Sequence, residues 1–165
     1  MRMKQFVFLL LAGLCLSGCA AGHSFIFQDQ TAVDQGTGIV WAKHANLPGT
    51  PLIWKGEDNV YSFIQKLNRD NYAGYADWRV PTKEEMAGLI AHAKSLGYDQ
   101  GKMETWPFRQ LRQLGFQDVR DYDYWTATRY SDTELWVADL ASGQIRPKTE
   151  AKPYCLWPVR GGRER

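Results

Sequence analysis

Two segments in the middle of the chain carry apolar residues at helical spacing. From Asp58 to Asn68 the apolar positions follow the i, i+3, i+4, i+7 order of an amphipathic helix, and Asp58 is the predicted N-cap. Thr82 and Glu85 have the spacing of a capping box, which predicts that a second helix starts there. Its apolar stripe is expected to stop at Gly97. Both helices are therefore predicted to pack one face against a core.

Period-two alternation predicts strands on both sides of these helices. The predicted extended segments are a hairpin over residues 31–43, a short stretch at 78–80, and strands over 124–130, 134–140, 144–148 and 154–160. A loop is predicted over residues 44–56, and one or two helical turns over 107–114. Strands and helices that are segregated along the chain indicate the α+β class, in a single domain without repeats.

The start of the chain has the layout of a secretory signal. Arg2 and Lys4 precede an apolar run over residues 6–16, and small residues lead to Cys19. The run is about eleven residues long, whereas a helix needs about 20 to cross a bilayer core. A transmembrane helix is therefore not predicted here.

The sequence Leu-Ser-Gly-Cys that ends at Cys19 resembles the lipobox of bacterial lipoproteins. This resemblance implies that residues 1–18 are removed, that Cys19 is acylated, and that residues 19–30 form a short tether to a membrane. The expected location is the cell envelope. Because Ala20 is not the aspartate that retains lipoproteins in the inner membrane, the outer membrane is expected in a Gram-negative organism. An ordinary cleaved signal with a chance cysteine is the alternative.

Charge and cysteine content change once the predicted signal is removed. The whole chain has a formal net charge of +2, but the signal takes two basic residues and no acid, so the remainder is neutral overall. A nucleic-acid partner is therefore not indicated. Cys15 would be removed with the signal and the thiol of Cys19 would be acylated, so Cys155 would have no cysteine with which to form a disulfide. We interpret Cys155 as a small buried hydrophobe, with a reactive thiol as the alternative.

Several separated pieces of the chain together resemble one family, DUF1566, also called the Lcl C-terminal domain family after collagen-like adhesins. The pieces are Thr-Gly-Ile-Val-Trp at 37–41, Gly-Tyr-Ala-Asp-Trp-Arg-Val-Pro-Thr at 74–82 with Glu85-Met86 after it, Tyr-Trp-Thr-Ala-Thr at 124–128, and Trp-Pro-Val-Arg-Gly-Gly at 157–162. The resemblance covers a domain over residues 31–162, which leaves 163–165 as a tail.

Membership of that family implies a C-type-lectin-like fold, in which the first and last strands pair and two helices flank a small twisted antiparallel sheet with long loops. Within the central motif, Asp77 is expected to accept backbone hydrogen bonds at a turn, and Trp78 to fill core. Arg79 is expected to form a salt bridge with Asp77, Glu84 or Glu85, which we favour over contact with a ligand.

Catalytic and metal-binding motifs are missing from the sequence. The cysteine pair of formylglycine-generating enzymes, the calcium-ligand strings of sugar-binding lectins, and HExxH, CxxC, GxSxG and P-loop patterns do not occur. His23, His44 and His92 are scattered along the chain. No catalytic residue, metal ligand or cofactor is therefore predicted. An acid pair for glycoside hydrolysis among Asp118, Asp121, Asp123 and Asp132 stays open as an alternative.

Binding is the function that the remaining residues favour. Arg129, Tyr130, Arg146 and Lys148 come from late strands that are expected to be neighbours, and they are the predicted ligand-binding residues. Cations beside tyrosine rings suit an anionic polysaccharide, since ion pairs supply affinity and rings stack on sugars. The family resemblance supports this prediction, because some members of the family are linked to adhesion through glycosaminoglycan-like polymers. The alternatives are an assembly lipoprotein that binds another envelope protein, and an enzyme of unknown type.

Overall fold

A computed structural model of the protein describes residues 23–99 and 106–162. Within these ranges the chain forms seven strands and three α-helices. In order they are β1 (Phe25–Phe27), β2 (Thr31–Asp34), β3 (Ile39–Ala42), α1 (Val60–Arg69), α2 (Lys83–Asp99), α3 (Pro107–Leu114), β4 (Asp123–Arg129), β5 (Glu134–Asp139), β6 (Gln144–Thr149) and β7 (Val159–Gly161). The predicted α+β class is confirmed.

The first sheet has the order β1-β2-β3-β7, with every neighbouring pair antiparallel. Its centre is the predicted hairpin, whose turn contains Gly38 at a φ of 75°, a left-handed value that glycine adopts without steric cost. The last strand returns to pair with β3, so that Trp41 lies opposite Val159. The two ends of the domain are thus held in one sheet.

Strand β1 lies in the segment interpreted as a tether, so that interpretation was wrong for residues 25–27. The rings of Phe25 and Phe27 pack edge-on against Phe116, at centroid distances of 5.2 and 5.0 Å. The intervening Ile26 is exposed. This alternation makes the segment an edge strand that pairs with β2.

The second sheet has the order β4-β5-β6 and was predicted from the alternation of the sequence. Its ladder is antiparallel, with an irregularity between Trp125 and Arg129. The predicted final strand over 154–160 is shorter than expected, because only β7 joins a sheet. Tyr154 and Cys155 instead form isolated bridges with Leu52 and Tyr124, which tie the second sheet to the loop after β3.

Two helix boundaries differ from those predicted. The N-cap of α1 is Asn59 rather than Asp58, because Asn59 has extended backbone and its Oδ1 accepts a hydrogen bond from the Ser62 amide at 2.9 Å. Asp58 has a φ of 45°, outside helical geometry. Helix α2 continues through Gly97 to Asp99. A glycine in a helix costs about 1 kcal/mol relative to alanine, which packing can offset.

The capping box at the start of α2 is confirmed. The Glu85 amide donates to Thr82 Oγ1 at 3.2 Å, and the Thr82 amide donates back to Glu85 Oε2 at 2.8 Å. Strand β4 is fastened to the same end of the helix, since the Lys83 amide donates to Thr128 Oγ1 at 3.0 Å. The second sheet is therefore aligned with the beginning of α2.

Four tryptophans are among the largest fully buried side chains: Trp41, Trp78, Trp125 and Trp157. Trp78 fills core as expected, whereas Trp157 lies at the centre of an aromatic cluster with Trp41, Phe116 and Tyr124. The apolar residues form two buried clusters. One joins the first sheet, the helices and part of the second sheet, and the other joins the second sheet to α1 and to the segments around Leu52 and Tyr154. The described chain thus has two sheets and three helices where the resemblance implied one sheet and two helices. The C-type-lectin-like assignment stays a prediction.

No helix in the described part of the chain is both long and apolar enough to span a membrane.

Candidate functional site

Arg79 forms the expected salt bridge, and its partner is Glu85. Its Nη1 and Nη2 donate to the two carboxylate oxygens of Glu85 at 2.8 and 2.6 Å, and Nη2 also donates to the Gly161 carbonyl at 2.7 Å. The hydrogen bonds to the carboxylate of Glu85 raise the pKa of Arg79 above its ordinary value. One guanidinium therefore joins the loop before α2, the helix itself and the last strand.

Asp77 has a different role from the one expected. The prediction was that Asp77 accepts hydrogen bonds from backbone amides at a turn. Its carboxylate instead accepts hydrogen bonds from the side chain of Arg160, from Nε at 2.6 Å and from Nη2 at 3.0 Å. These bonds lower the pKa of Asp77. Because Arg160 also lies 3.8 Å from the centroid of the Tyr75 ring, its cation is held on two sides.

An open groove lies between the start of α1, the loop before it and strand β4. Its walls are Trp54, Tyr61, Ile64, Val80 and Ala127, and it encloses about 750 Å³. Apolar and aromatic surface predominates. We call it the aromatic groove.

Tyr61 and Trp54 were missed by the sequence analysis. Tyr61 has 68% of its surface exposed, although it is aromatic. Its position outside the apolar stripe of α1 was the available signal, since an aromatic residue on the polar face of a helix has no core to fill. Trp54 lies in a loop, where no periodic pattern indicates the role of a side chain. Its ring packs against that of Trp125, with 5.2 Å between the ring centroids.

Lys55 lines the aromatic groove and shares the carboxylate of Glu150 with Arg129, which is not part of the lining; we call these three residues the rim. Lys55 Nζ lies 2.8 Å from Glu150 Oε1, and Arg129 Nη2 lies 3.0 Å from Glu150 Oε2. The hydrogen bond from Lys55 is the larger cause, and that from Arg129 a further one, of a lowered pKa at Glu150. Because two positive charges face one negative charge, the rim keeps an excess of one positive charge.

The other two predicted cations pair with acids other than Glu150. Lys148 contacts Asp123, and Arg146 lies 3.8 Å from Asp139, so each cation faces an acid of its own. Lys148 and Arg129 both lie opposite Leu135, one on either side of strand β5.

Tyr130 is exposed and packs edge-on against Trp136 at 5.2 Å. Among the four predicted residues, Arg129 alone is connected to the groove by ion pairs within the described residues, through Glu150 to Lys55.

A second, more polar depression lies between the first sheet and α2. Its lining is contributed by residues from three separated motifs of the sequence: Thr37, Ile39 and Trp41, then Arg79, Thr82, Glu84 and Glu85, then Gly161 and Gly162, joined by His23, Asp34, Gly36 and Gly88. It encloses about 930 Å³. We call it the polar cleft. Arg79 and Thr82 line both depressions, which therefore meet at the start of α2.

A histidine and a buried carboxylate form one wall of the polar cleft. His23 Nδ1 lies 2.6 Å from Asp34 Oδ2, and Asp34 also accepts hydrogen bonds from Thr37 Oγ1 and the Gly36 amide. His92 on α2 lies 5.4 Å from His23 between ring centroids, so these two histidines are not scattered in the fold. Burial, with a smaller contribution from His23, lowers the pKa of His92.

Cys155 is a fully buried free cysteine. Burial raises the pKa of its thiol to about 11. At neutral pH the sulfur is therefore protonated and enclosed, which favours the interpretation as a small core residue over a reactive thiol. The four acids considered for glycoside hydrolysis do not line either depression. In residues 23–99 and 106–162 no group of three or more His, Cys, Asp or Glu side chains is arranged to hold a metal ion.

Comparison with protein families matches residues 30–160 to the Lcl C-terminal domain. No curated protein matches the chain. The matched range contains the three helices, strands β2 to β6 and the lining of the aromatic groove, and it agrees with the resemblance carried by the motifs. The chain therefore belongs to the Lcl C-terminal domain family.

Proposed function

We propose that this protein is a lipid-anchored, non-enzymatic binding protein of the bacterial envelope, and that it holds an anionic polysaccharide at the aromatic groove. The carrying observation is the groove's combination of exposed aromatic surface with a rim where Lys55 and Arg129 share Glu150. Sugar ring faces stack on aromatic side chains, while sulfate or carboxylate groups pair with the excess positive charge. The C-type-lectin-like fold belongs to this proposal.

The excess positive charge of the rim favours an anionic glycan over a neutral one. Elsewhere on the second sheet each cation faces its own acid, so Arg146 and Lys148 offer little net charge to an incoming anion. At Glu150 an incoming anion competes for two cations held by one carboxylate. Of the predicted residues, Arg129 is therefore the one that we retain for ligand contact.

Binding of a heparin-like polymer tests the groove. The full-length protein, purified in detergent and applied to immobilised heparin, is expected to be retained at low salt and released as salt rises, because exposed ion pairs are screened. Lys55→Ala should elute at lower salt. Glu150→Gln should elute at higher salt, because it removes the acid that competes for both cations. Tyr61→Ala should weaken binding about fivefold, as expected for the loss of one aromatic contact of about 1 kcal/mol.

Matched controls are available on the same molecule. Lys66 is 64% exposed and Lys55 63%, and each forms an ion pair, so Lys66→Ala controls for loss of a surface charge. Tyr122 is exposed to a similar extent as Tyr61, which makes Tyr122→Ala the control for loss of an exposed ring. Equal elution of Lys55→Ala and Lys66→Ala, or no retention of the parent protein at low salt, would contradict binding of anionic glycan at the groove.

The membrane anchor has its own experiment. We expect labelled palmitate to be incorporated into the chain in bacterial cells, and Cys19→Ser to abolish that incorporation. Labelling that persists in Cys19→Ser would contradict acylation at this cysteine.

Assembly with another envelope protein is the second candidate. The apolar walls of the groove, Ile64, Val80 and Ala127, would equally accept aliphatic side chains of a partner. A stoichiometric cross-linked protein in cells, together with absence of heparin binding, would favour this candidate.

A further inference from the structure

Strand β1 is joined to the rest of the domain by a small interface. It is three residues long, lies at the edge of the first sheet and pairs with β2. Its two phenylalanine rings pack against Phe116 but remain partly exposed. A short edge strand with few buried contacts opens at a lower free energy than the core does. A change of charge in this interface therefore acts on β1 before it acts on the whole fold.

Two histidines meet where β1 packs on α2. The ring centroids of His23, which precedes the strand, and His92, on the helix, are 5.4 Å apart. The Phe25 ring lies 6.3 Å from the first and 5.8 Å from the second. The side chain of His23 is 22% exposed, and His92 is partly buried. Two positive charges at this distance repel each other, because solvent screens them only in part. Histidine is the side chain that acquires such a charge in mildly acidic solution.

A carboxylate supports only the first of these histidines. His23 Nδ1 lies 2.6 Å from Asp34 Oδ2, and Asp34 is 1% exposed. An ionised carboxylate only accepts, so this bond needs a proton on Nδ1, which neutral and charged imidazole both supply. Acidification therefore leaves the bond between His23 and Asp34 intact. Within the described chain the His92 ring has no hydrogen bond or ion pair of its own, so a charge on it has no direct partner.

The surroundings of His92 oppose its protonation. Burial is the largest cause of its lowered pKa and the charge of His23 is the next, whereas the carboxylate of Asp34 acts in the opposite direction with a smaller effect. Asp34 thus faces two histidines and compensates the charge of one. The docked strand consequently favours a neutral His92.

The other charged side chains of α2 and of the elements packed against it have contacts elsewhere. On α2, Lys83 lies over the Trp136 ring, Glu84 is exposed, Glu85 pairs with Arg79, and Lys94 donates to the Gly143 carbonyl. On α3, β4 and β5, Arg109 and Arg112 lie over the Phe108 ring, Glu134 is partly exposed, and Asp123, Arg129 and Asp139 pair with Lys148, Glu150 and Arg146. None of them is among the causes of the shift at His92.

We propose that His23, Asp34 and His92 form an acid-sensitive latch, which holds β1 against α2 at neutral pH and releases the strand when His92 takes up a proton. Release removes the His23 wall of the polar cleft and uncovers Phe116. The latch goes beyond the proposed function and does not require it. If the chain is anchored at Cys19, release also adds residues 25–27 to the tether.

The direction of the pH dependence follows from the two states of the strand. The lowered pKa of His92 belongs to the docked state. Once β1 has left, the ring is solvated and returns towards its ordinary value of about 6.5. The released state therefore binds the proton more tightly, so docking is fully stable above about pH 6.5 and weakens as the pH falls below that value.

Hydrogen–deuterium exchange of the full-length protein in detergent measures the docking of β1. Peptides that contain residues 24–30 are followed by mass spectrometry at neutral pH and at about pH 5, and each rate is divided by the intrinsic rate of the unstructured peptide at that pH. We expect the corrected rate for β1 to be at least about fivefold higher at the acidic pH, while peptides from β5 keep their protection. Equal corrected rates for β1 at the two pH values overturn the proposal.

Variants of His92 separate the latch from a general effect of acid. His92→Phe and His92→Gln carry no charge, so both are expected to keep β1 protected in acid. His44→Phe is the matched control, because His44 is an exposed histidine outside the latch, and it should release β1 as the parent protein does. Release in acid by both His92 variants, or its loss in His44→Phe, overturns the proposal. Failure of heparin binding or of acylation contradicts only the proposed function.

Discussion

Replacement of Trp157 by alanine is expected to unfold most of the protein at room temperature or to lower its Tm by at least 15 °C, on the order of what a loss of about 4 kcal/mol produces. Trp157 is fully buried, and its ring contacts those of Trp41, Phe116 and Tyr124 at centroid distances of 5.3, 4.9 and 5.9 Å. Removing a ring from such a site costs about 3–5 kcal/mol, because a cavity remains. Typical domains are stable by only about 5–15 kcal/mol.

A hydrogen bond adds to that loss. Trp157 Nε1 donates to the Ala42 carbonyl at 2.7 Å, at the end of strand β3. Without the indole this buried carbonyl loses a partner, which costs about 1–3 kcal/mol. Trp157→Phe is therefore expected to fall between the parent protein and Trp157→Ala, since it keeps most of the ring volume and loses the bond.

The measurement is urea unfolding followed by circular dichroism. Trp106→Ala is the control, because Trp106 is 39% exposed and the loss of buried surface is smaller. We expect its free energy of unfolding to fall by about 1 kcal/mol. If Trp157→Ala were no less stable than Trp106→Ala, the aromatic cluster would not be the centre of the core.

Replacement of Arg79 by methionine is expected to have the second largest effect, a loss of about 2–3 kcal/mol. The change leaves the carboxylate of Glu85, which is 15% exposed, without its cation, and it removes the hydrogen bond that Arg79 donates to the Gly161 carbonyl. Breaking a fully buried ion pair costs about 3–5 kcal/mol of stability. We expect a smaller loss for Arg79→Met, because the side chain of Arg79 is partly exposed to solvent.

Arg160→Met provides the comparison for Arg79→Met. Arg160 also forms a two-bond pair with a carboxylate, but its partner Asp77 is 55% exposed and is solvated when the arginine is removed. We expect a loss of about 1 kcal/mol, in line with exposed ion pairs. Thermal unfolding of both variants in low salt gives the difference. An equal loss in the two would show that the attachment of Arg79 to Glu85 and Gly161 is not what holds the last strand to α2.

The elements that the sequence predicted well are those with local causes. The spacing of Thr82 and Glu85 predicted the capping box, because both partners lie within one helical turn. Strands β4, β5 and β6 were evident from their alternation, and the family motifs correctly assigned the chain. The salt bridge of Arg79 was predicted for a similar reason, since its acid is six positions away.

Elements with distant partners were harder to predict. Strand β1 is three residues long, and its phenylalanine rings pack against Phe116, which is far away in sequence. Residues 154–160 were predicted as one strand, yet they pair with four different segments, at Leu52, Arg79, Tyr124 and strand β3. The excess charge at the groove also depends on distant residues, because Glu150 is brought between Lys55 and Arg129 only by folding.

The sequence by itself determined the α+β class, the family, both long helices and the hairpins, because periodicity, caps and turns act over a few residues. The tertiary structure alone decided which charges are neutralised and which donors are left unpaired. It gave Arg146 and Lys148 their own acids, placed Arg129 and Lys55 around one carboxylate, and left the buried Trp41 N–H without an acceptor among residues 23–99 and 106–162. Electrostatic and hydrogen-bond balance depends on distances between residues that are remote in the chain, and only the folded arrangement sets those distances.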